Sequence, residues 1–300
     1  MTAVVLCVGH AVQDFVFGVA ELPAAAEKHR ATSFTSVGGG PAATAAVAIA
    51  RLGGRARLAA RLGADTVADV ITAELAGHGV DCAFVRRFPG CSSSLSAVMV
   101  DARGERLIVN YLDASLPHAA DWLPEPRAAG CQAVLADTRW PEGALAALVA
   151  ARAAGLPGVL DADRPIPADR AVLAAASHVA FSHEALAEFT GEADPQRALE
   201  IAARGIDAWC CVTVGAQGVH VLAHGRHQHL PGHRVDVVDT LGAGDVWHGA
   251  FALALAEGRS ESDAVRFGSA AAALKVQRAG GRAGAPTRIE VDAFMASHPE

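Results

Sequence analysis

V-D-V-V-D-T-L-G-A-G-D-V-W-H-G-A-F-A-L-A-L-A-E-G, residues 235–258, is the stretch on which the reading of the fold turns. It reads as a strand, a glycine turn and a helix. Gly242, Ala243 and Gly244 are small, so the backbone there lets a ligand come close. They open a helix whose first N–H groups have no partner inside it and whose dipole presents its positive end. Such a turn suits the charge that develops on a phosphoryl group in transfer. Asp245, in the first turn, is placed to accept a proton from a hydroxyl beside that anion hole. Taken alone, the same residues also serve as a helix cap with a dipole-stabilised carboxylate.

Outward from this stretch, short apolar runs alternate with helical patterns. Strands are predicted at 3–9, 56–61, 133–137, 157–163, 178–182 and 208–215, and helices at 41–52, 64–79, 143–155 and 194–205. Strand–helix alternation predicts an α/β fold, a doubly wound, mostly parallel sheet covered on both faces. Its crossovers should be right-handed. Two regions break the rhythm. F-V-F-G-V-A and A-T-S-F-T-S-V within 15–36, and A-F-V-R-R-F, S-L-S-A-V-M-V and E-R-L-I-V-N-Y-L within 83–112, are strand-like pieces with no helix between them. They predict a small antiparallel β lid, with D-A-R-G (101–104) as a hairpin turn. The expected organisation is a single domain over 1–300. Its core is 1–14, 37–82 and 113–300, and its lid is 15–36 and 83–112.

Composition excludes several classes. The 300 residues are 52% hydrophobic and 19% charged, which is not the signature of disorder. The net charge is −7 and no basic run appears, so no nucleic-acid partner is expected. No apolar stretch reaches the length of a membrane span. The start M-T-A-V-V-L-C-V-G-H lacks a basic n-region and predicts no signal peptide. Six cysteines without a C-x-x-C spacing point to reduced, cytoplasmic usage. Only two of the 25 basic residues are lysines, Lys28 and Lys275.

D-T-L-G-A-G-D-V resembles the C-terminal signature of the ribokinase (PfkB) family of sugar kinases, D-T-x-G-A-G-D. The resemblance implies a ribokinase-like fold and an ATP-dependent carbohydrate kinase. Asp245 would be its catalytic base, and Gly242, Ala243 and Gly244 its anion hole. Other landmarks follow in order along nearly the whole chain. Gly9 and Asp14 match the strand end and the acid that holds sugar hydroxyls. V-G-G-G-P-A-A-T (37–44) matches the early glycine motif, with Gly39 and Gly40 beside the sugar. C-V-T-V-G-A-Q-G (211–218) is similar to the nucleotide loop, putting Thr213, Gly215 and Gly218 with Gly242 and Gly244 around ATP. The tail at 271–286 is similar to the helix and loop of the adenine pocket.

The family commonly carries N-E-x-E, tied to magnesium and phosphate, where this chain has S-H-E-A (182–185). His183 stands where an acid is usual. The Mg2+ implied with ATP is then left to water, to Glu184, or to Asp161 and Asp163 at a strand end.

Lys28 between lid strands, Asn110 at the end of a lid strand and Arg139 after a core strand would clamp an anion at the far end of a sugar. Singly, each is an ordinary surface residue. G-G-G-P-A-A-T-A-A-V-A, V-N-Y, L-A-D-T-R-W and G-G-R-A-G-A-P are most similar to the 6-deoxy-6-sulfofructose kinases of the family. That resemblance assigns Lys28, Asn110 and Arg139 to the sulfonate. It implies phosphorylation of the C1 hydroxyl to give 6-deoxy-6-sulfofructose 1-phosphate, as in sulfoglycolysis. The alternative within the family is a ketohexose or other sugar kinase without sulfonate selectivity. A different class, a metal-binding or non-catalytic relative, is suggested by H-V-L-A-H-G-R-H-Q-H-L-P-G-H (220–233), where His227 and His229 would share a strand face. No P-loop and no strand–G-x-G-x-x-G–helix fingerprint is present. Free lid edges predict a homodimer through the lid.

Overall fold

Val5 and Cys7 face one side of β1 (Val4–Gly9), Leu6 and Val8 the other, and all four are fully buried. A strand apolar on both faces must lie between two layers. The computed structural model describes residues 2–298 except 26, 104, 127 and 169. After β1 come β2 (Val12–Gly18), β3 (Ser33–Gly39), α1 (Pro41–Arg51), β4 (Arg55–Gly63), α2 (Thr66–Gly77) and β5 (Asp81–Phe88). Next are β6 (Leu95–Val100), β7 (Arg106–Tyr111), β8 (Ala133–Asp137), α3 (Pro141–Ala153), β9 (Gly158–Ala162), α4 (Ala171–Ala175) and β10 (His178–Ser182). The chain continues through α5 (His183–Thr190), α6 (Pro195–Ala202), β11 (Trp209–Thr213), β12 (Val219–Ala223) and β13 (Arg226–Leu230). Three helices close it, α7 (Ala243–Ala256), α8 (Glu261–Val276) and α9 (Arg288–Ser297).

The main sheet runs β13-β12-β11-β10-β9-β8-β1-β4-β5. In that order every neighbouring pair from β11 to β5 is parallel, and β12 and β13 add an antiparallel end. Apolar residues of α1, α2, α7 and α8 fill one side, and those of α3 to α6 fill the other. Cys210 and Cys211 point into opposite layers, and all six cysteines are free. The chain leaves β1 toward β4 and β5, then returns to β8 on its other side. The crevice at that reversal, beyond the carboxyl ends of the strands, is where α/β folds bind ligands.

The lid is a separate four-stranded sheet, β3-β2-β6-β7. It is mixed rather than antiparallel: β2 pairs with β3 antiparallel, but β2 and β6 run parallel because they enter the lid from the same side of the core. Residues 83–88 belong to the core, not the lid, since β5 is the edge strand beside β4. An edge strand is half covered, and its alternation looks like that of a lid strand. The turn expected at 101–104 joins β6 to β7, and Gly104 lies outside the described residues. Residues 235–238 form no strand. They cross the surface, with Val237 and Val238 exposed, and the Val238 and Asp239 amides donate to the Val276 carbonyl at the end of α8.

Candidate active site

Gly242 has φ 76°, left-handed backbone that glycine adopts without strain, and it caps α7. The Ala243 amide turns back to the Thr240 carbonyl at 3.1 Å, so it is engaged rather than presented. The amides of Gly244 and Asp245 begin the helix and have no acceptor inside it. Asp245 is half-buried in that first turn. Burial raises its pKa to about 7, and the neighbouring Asp161, Asp137 and Asp163 add to the rise against the opposing pull of His248. A carboxyl poised there is matched to taking a proton near neutrality.

Two cavities meet at the turn 239–245. The first measures about 440 Å³ and is walled by Thr213, Gly215 and Gly218 on one side and by Ala243, Gly244 and Trp247 on the other, with Ala272 and Val276 of α8 behind. Of the residues expected around a nucleotide it brings together Thr213, Gly215, Gly218 and Gly244, while Gly242 does not line it. The second, about 320 Å³, lies under the lid between Asp14, Val37, Ser96 and Ile108 and the loop segments at Asp239, Leu241, Gly280 and Gly281.

Asp14 stands in register with Ser96, and Ser96 with Asn110, so the three form a row on the lid's inner face. The Asn110 amide donates to Ser96 Oγ at 3.0 Å, and Ser96 hydrogen-bonds Asp14. Burial raises the Asp14 pKa, and Ser96 and Arg282 work against that rise. A Cβ at Gly39 would press on the Asp14 carboxylate. Gly40, at φ 93°, turns the chain into α1 against the His10 carbonyl, where a side chain would overlap it. Both glycines of the early motif therefore border the lid cavity's acid or the entry to α1.

Several residues that shape the site escaped the sequence reading. Asp137, at the end of β8, accepts from the His10, Ala42 and Arg139 amides at 2.8, 3.0 and 2.9 Å, tying β1, α1 and the crevice together. Arg61, at the end of β4, lies over the Trp140 ring at 4.8 Å. Burial and the charges of Arg139 and Arg61 bring the His10 pKa down to about 4, so His10 is neutral beside two guanidiniums. Arg282 is buried, clasps Glu74 at 3.0 and 2.7 Å, and donates to the Gly39 carbonyl at 3.3 Å. Lys275 is fully buried, and its ammonium donates to the Asp239 carbonyl and carboxylate at 2.9 and 3.2 Å, fixing the start of the 239–245 turn. The scarcity of lysine was a signal for Lys275. Arg61, Asp137 and Arg282 left none, because their partners are far away in sequence.

The three expected anion ligands are not all together. Asn110 is in the Asp14 row. Arg139 sits at the core rim, 3.6 Å from Asp163. Lys28 is exposed on the loop between β2 and β3.

Asp161 is enclosed against His248, at 3.5 Å, and offers no open position to a metal. Asp163 accepts from Ser182 Oγ at 2.7 Å, and Glu184 is exposed in the first turn of α5. Among the described residues, no group of three or more His, Cys, Asp or Glu side chains converges to hold a metal ion. The donor set does not fit a protein-built magnesium cage. His220 and His229 are cross-strand partners with rings 4.6 Å apart, and His227 pairs with Glu200 at 2.8 Å. These histidines form a polar hairpin face, and among the described residues no third metal-ligating side chain converges on them. No helix among the described residues is long and apolar enough to cross a membrane.

The sequence and the fold are similar to those of known carbohydrate kinases. A family model described as pfkB family carbohydrate kinase matches residues 2–288. The ribokinase of Bacillus subtilis is 30% identical over 300 residues, covering 97% of this chain and 99% of the relative. A crystal structure from Agrobacterium tumefaciens, of a ribokinase candidate, is 38% identical and superposes with a TM-score of 0.92 over 99% of this chain and 98% of that one. The structure of Arabidopsis thaliana ribokinase complexed with ribose and ATP is 25% identical, with a TM-score of 0.87 over 98% of this chain and 99% of that one.

Proposed function

The chain belongs to the pfkB family of carbohydrate kinases, and on that premise we propose that Asp245 is the base that activates a sugar hydroxyl for attack on ATP. One observation carries this reading: the turn 239–245 walls both cavities, with Asp239 and Leu241 lining one and Thr240, Ala243 and Gly244 lining the other. A hydroxyl held by Asp14 in the lid cavity would lose its proton to Asp245. Its oxygen would bond to the γ-phosphorus as the bond to the ADP oxygen breaks. The Gly244 and Asp245 amides would meet the charge spread over the phosphoryl oxygens. Thr213, Gly215 and Gly218 would hold the nucleotide. Magnesium would travel on the ATP phosphates, where it neutralises charge.

For the acceptor, the reading is the C1 hydroxyl of 6-deoxy-6-sulfofructose. The guanidiniums of Arg139 and Arg61 beside a neutral His10 supply positive charge at the crevice, and Asn110 adds an amide from the lid. Lys28 would join them only if its loop folds over the bound sugar. A second reading, a neutral sugar such as ribose, is favoured by the relatives named ribokinase. A kinase assay against 6-deoxy-6-sulfofructose, fructose, fructose 6-phosphate, ribose and adenosine separates them. Sulfofructose should be preferred, and Lys28→Ala with Arg139→Ala should remove that preference, by on the order of 10²-fold for two charge-assisted contacts. Ribose as the best substrate, or an unchanged preference in the double variant, overturns the sulfonate reading.

The working form is a homodimer in the cytoplasm. Its support is the lid's outer face, where Phe15, Phe17 and Phe34 cluster on β2 and β3, Val109 and Tyr111 are exposed on β7 across the intervening β6, and Phe34 is 57% exposed. An apolar face this open on a sheet with two free edges, β3 and β7, suits burial against a second copy.

A further inference from the structure

One guanidinium joins three stretches that are far apart in the chain: α2, the end of β3 and the loop after α8. Arg282 donates from Nε and Nη2 to the two carboxylate oxygens of Glu74 at 3.0 and 2.7 Å, and from Nη1 to the Gly39 carbonyl at 3.3 Å. Its side chain is 1% exposed and that of Glu74 30%. A sealed guanidinium needs a counter-charge, and the paired fork fixes its direction as well as its charge. β3 passes directly against this clasp, since a Cβ at Gly38 would overlap both the Arg282 guanidinium and the Glu74 carboxylate. The next residue borders the lid cavity's acid. A Cβ at Gly39 would lie 2.5 Å from Asp14 Oδ2, and Gly39 pairs with Val12 at the start of β2, the strand that carries Asp14. The C-terminal tail divides at this point. Ala272, Ala273 and Val276 wall the nucleotide cavity, whereas Gly280 and Gly281 wall the lid cavity, and Arg282 follows them on the lid side. Its charge also opposes the burial that raises the Asp14 pKa.

We propose that Arg282, clasped by Glu74, is a positioning residue for the acceptor sugar: it holds the root of β3 so that Gly39 seats the Asp14 carboxylate in the lid cavity. Arg282 lines neither cavity, so it reaches the sugar only through Gly39 and Asp14. The inference rests on Asp14 as the acid that holds a sugar hydroxyl. Freed from the clasp, the end of β3 would shift against β2, and the carboxylate would meet the hydroxyl at a poorer distance and angle. The nucleotide cavity lies on the other side of the 239–245 turn and draws no wall from β2, β3 or Arg282, so ATP should not sense the change. Glu74 keeps partial contact with water, so its charge can be solvated when Arg282 is replaced, and the altered chain should fold.

The test is a double-mutant cycle of Arg282→Met, Asp14→Asn and the two combined, with kcat and both KM values read on the best panel sugar. Arg282→Met should raise the sugar KM about 10-fold, the size of a weakened charged hydrogen bond, with kcat and the ATP KM within about twofold. In the combined variant the rise should be smaller than the product of the single rises, because Arg282 acts through Asp14. Gly38→Ala, which keeps every charged group but drives a Cβ into the clasp, should also raise the sugar KM and spare that of ATP. A role in stability alone would lower the melting temperature and leave both KM values of the folded enzyme where they were. That result, an equal rise in both KM values, or rises that multiply in the combined variant overturns the positioning role. Cooperative thermal melting checks folding. If Arg282→Met does not fold, Glu74→Gln on the solvent side of the clasp carries the test: the sugar KM should rise about threefold, and an unchanged value overturns the proposal. Asp14→Asn separates the premises. An unchanged sugar KM in that variant overturns Asp14 as the sugar's acid, whereas a raised one beside an unmoved Arg282→Met overturns only the clasp.

Discussion

The two cavities on either side of the 239–245 turn are built by different means. The nucleotide-side cavity draws nearly all its wall from the C-terminal half, residues 213–276, and much of that wall is backbone and small or apolar side chains. The lid-side cavity is assembled from separate pieces: β2, β3, β6, β7 and the loops at 239–241 and 280–281. It depends on particular polar side chains, Asp14 and Ser96, held by cross-strand register. A wall of backbone tolerates substitution along its length. A wall of side chains loses a ligand contact with each one removed. Selectivity should therefore change on the lid side while the nucleotide side stays constant.

Three substitutions probe that contrast. The largest effect is expected at the shared turn. Asp245→Asn should lower kcat about 10²- to 10⁴-fold while nucleotide binding, followed by calorimetry, persists. In the unaltered enzyme kcat/KM should fall about tenfold per pH unit below about pH 7, because the raised pKa of Asp245 leaves the base protonated there. A flat profile down to pH 5 would remove Asp245 from that role. Next, Asp14→Asn should raise the sugar KM about 10- to 100-fold, the loss of a charged hydrogen bond, with the ATP KM within about twofold. Equal changes in both KM values would erase the division between the cavities. The smallest effect on turnover belongs to the lid's outer face. Phe34→Asp should convert a dimer to a monomer in light scattering while kcat changes less than about threefold. A monomeric unaltered enzyme, or a dimeric variant, removes the lid from the interface.

The same division explains what was legible in the sequence. The nucleotide side and the central strands are local in the chain, so their signals are short. Residues 133–137 and 178–182 are strands with the boundaries expected from their apolar runs. Gly242 to Asp245 open a helix as their composition implies. The lid side is non-local. Nothing in A-F-V-R-R-F says that it joins β4 rather than the lid, because a half-covered core edge and a lid strand carry the same alternation. The Val-rich run 235–238 has strand propensity, yet it forms no strand, and its Val238 amide goes to the Val276 carbonyl at the end of α8. Arg282 reaches Glu74 across 208 positions, and Asp137 reaches Ala42 across 95. Pairings over such distances leave no periodic trace. His248 reads as one more residue of an apolar helix until its neighbours from β9 and β10 are seen.

The burial of Lys275 has a practical side for labelling chemistry. Of the two lysines, one is fully enclosed with its ammonium committed to Asp239, and the other, Lys28, stands in solvent on the loop joining β2 to β3. Acylating dyes need an accessible, deprotonated amine, so among lysines they will mark that loop alone. An otherwise native chain thus carries a single lysine-borne optical handle on its lid, to be told apart from any label on the α-amino group. With it, any movement of the lid over a bound sugar becomes a fluorescence signal, obtained without introducing a cysteine or removing a residue.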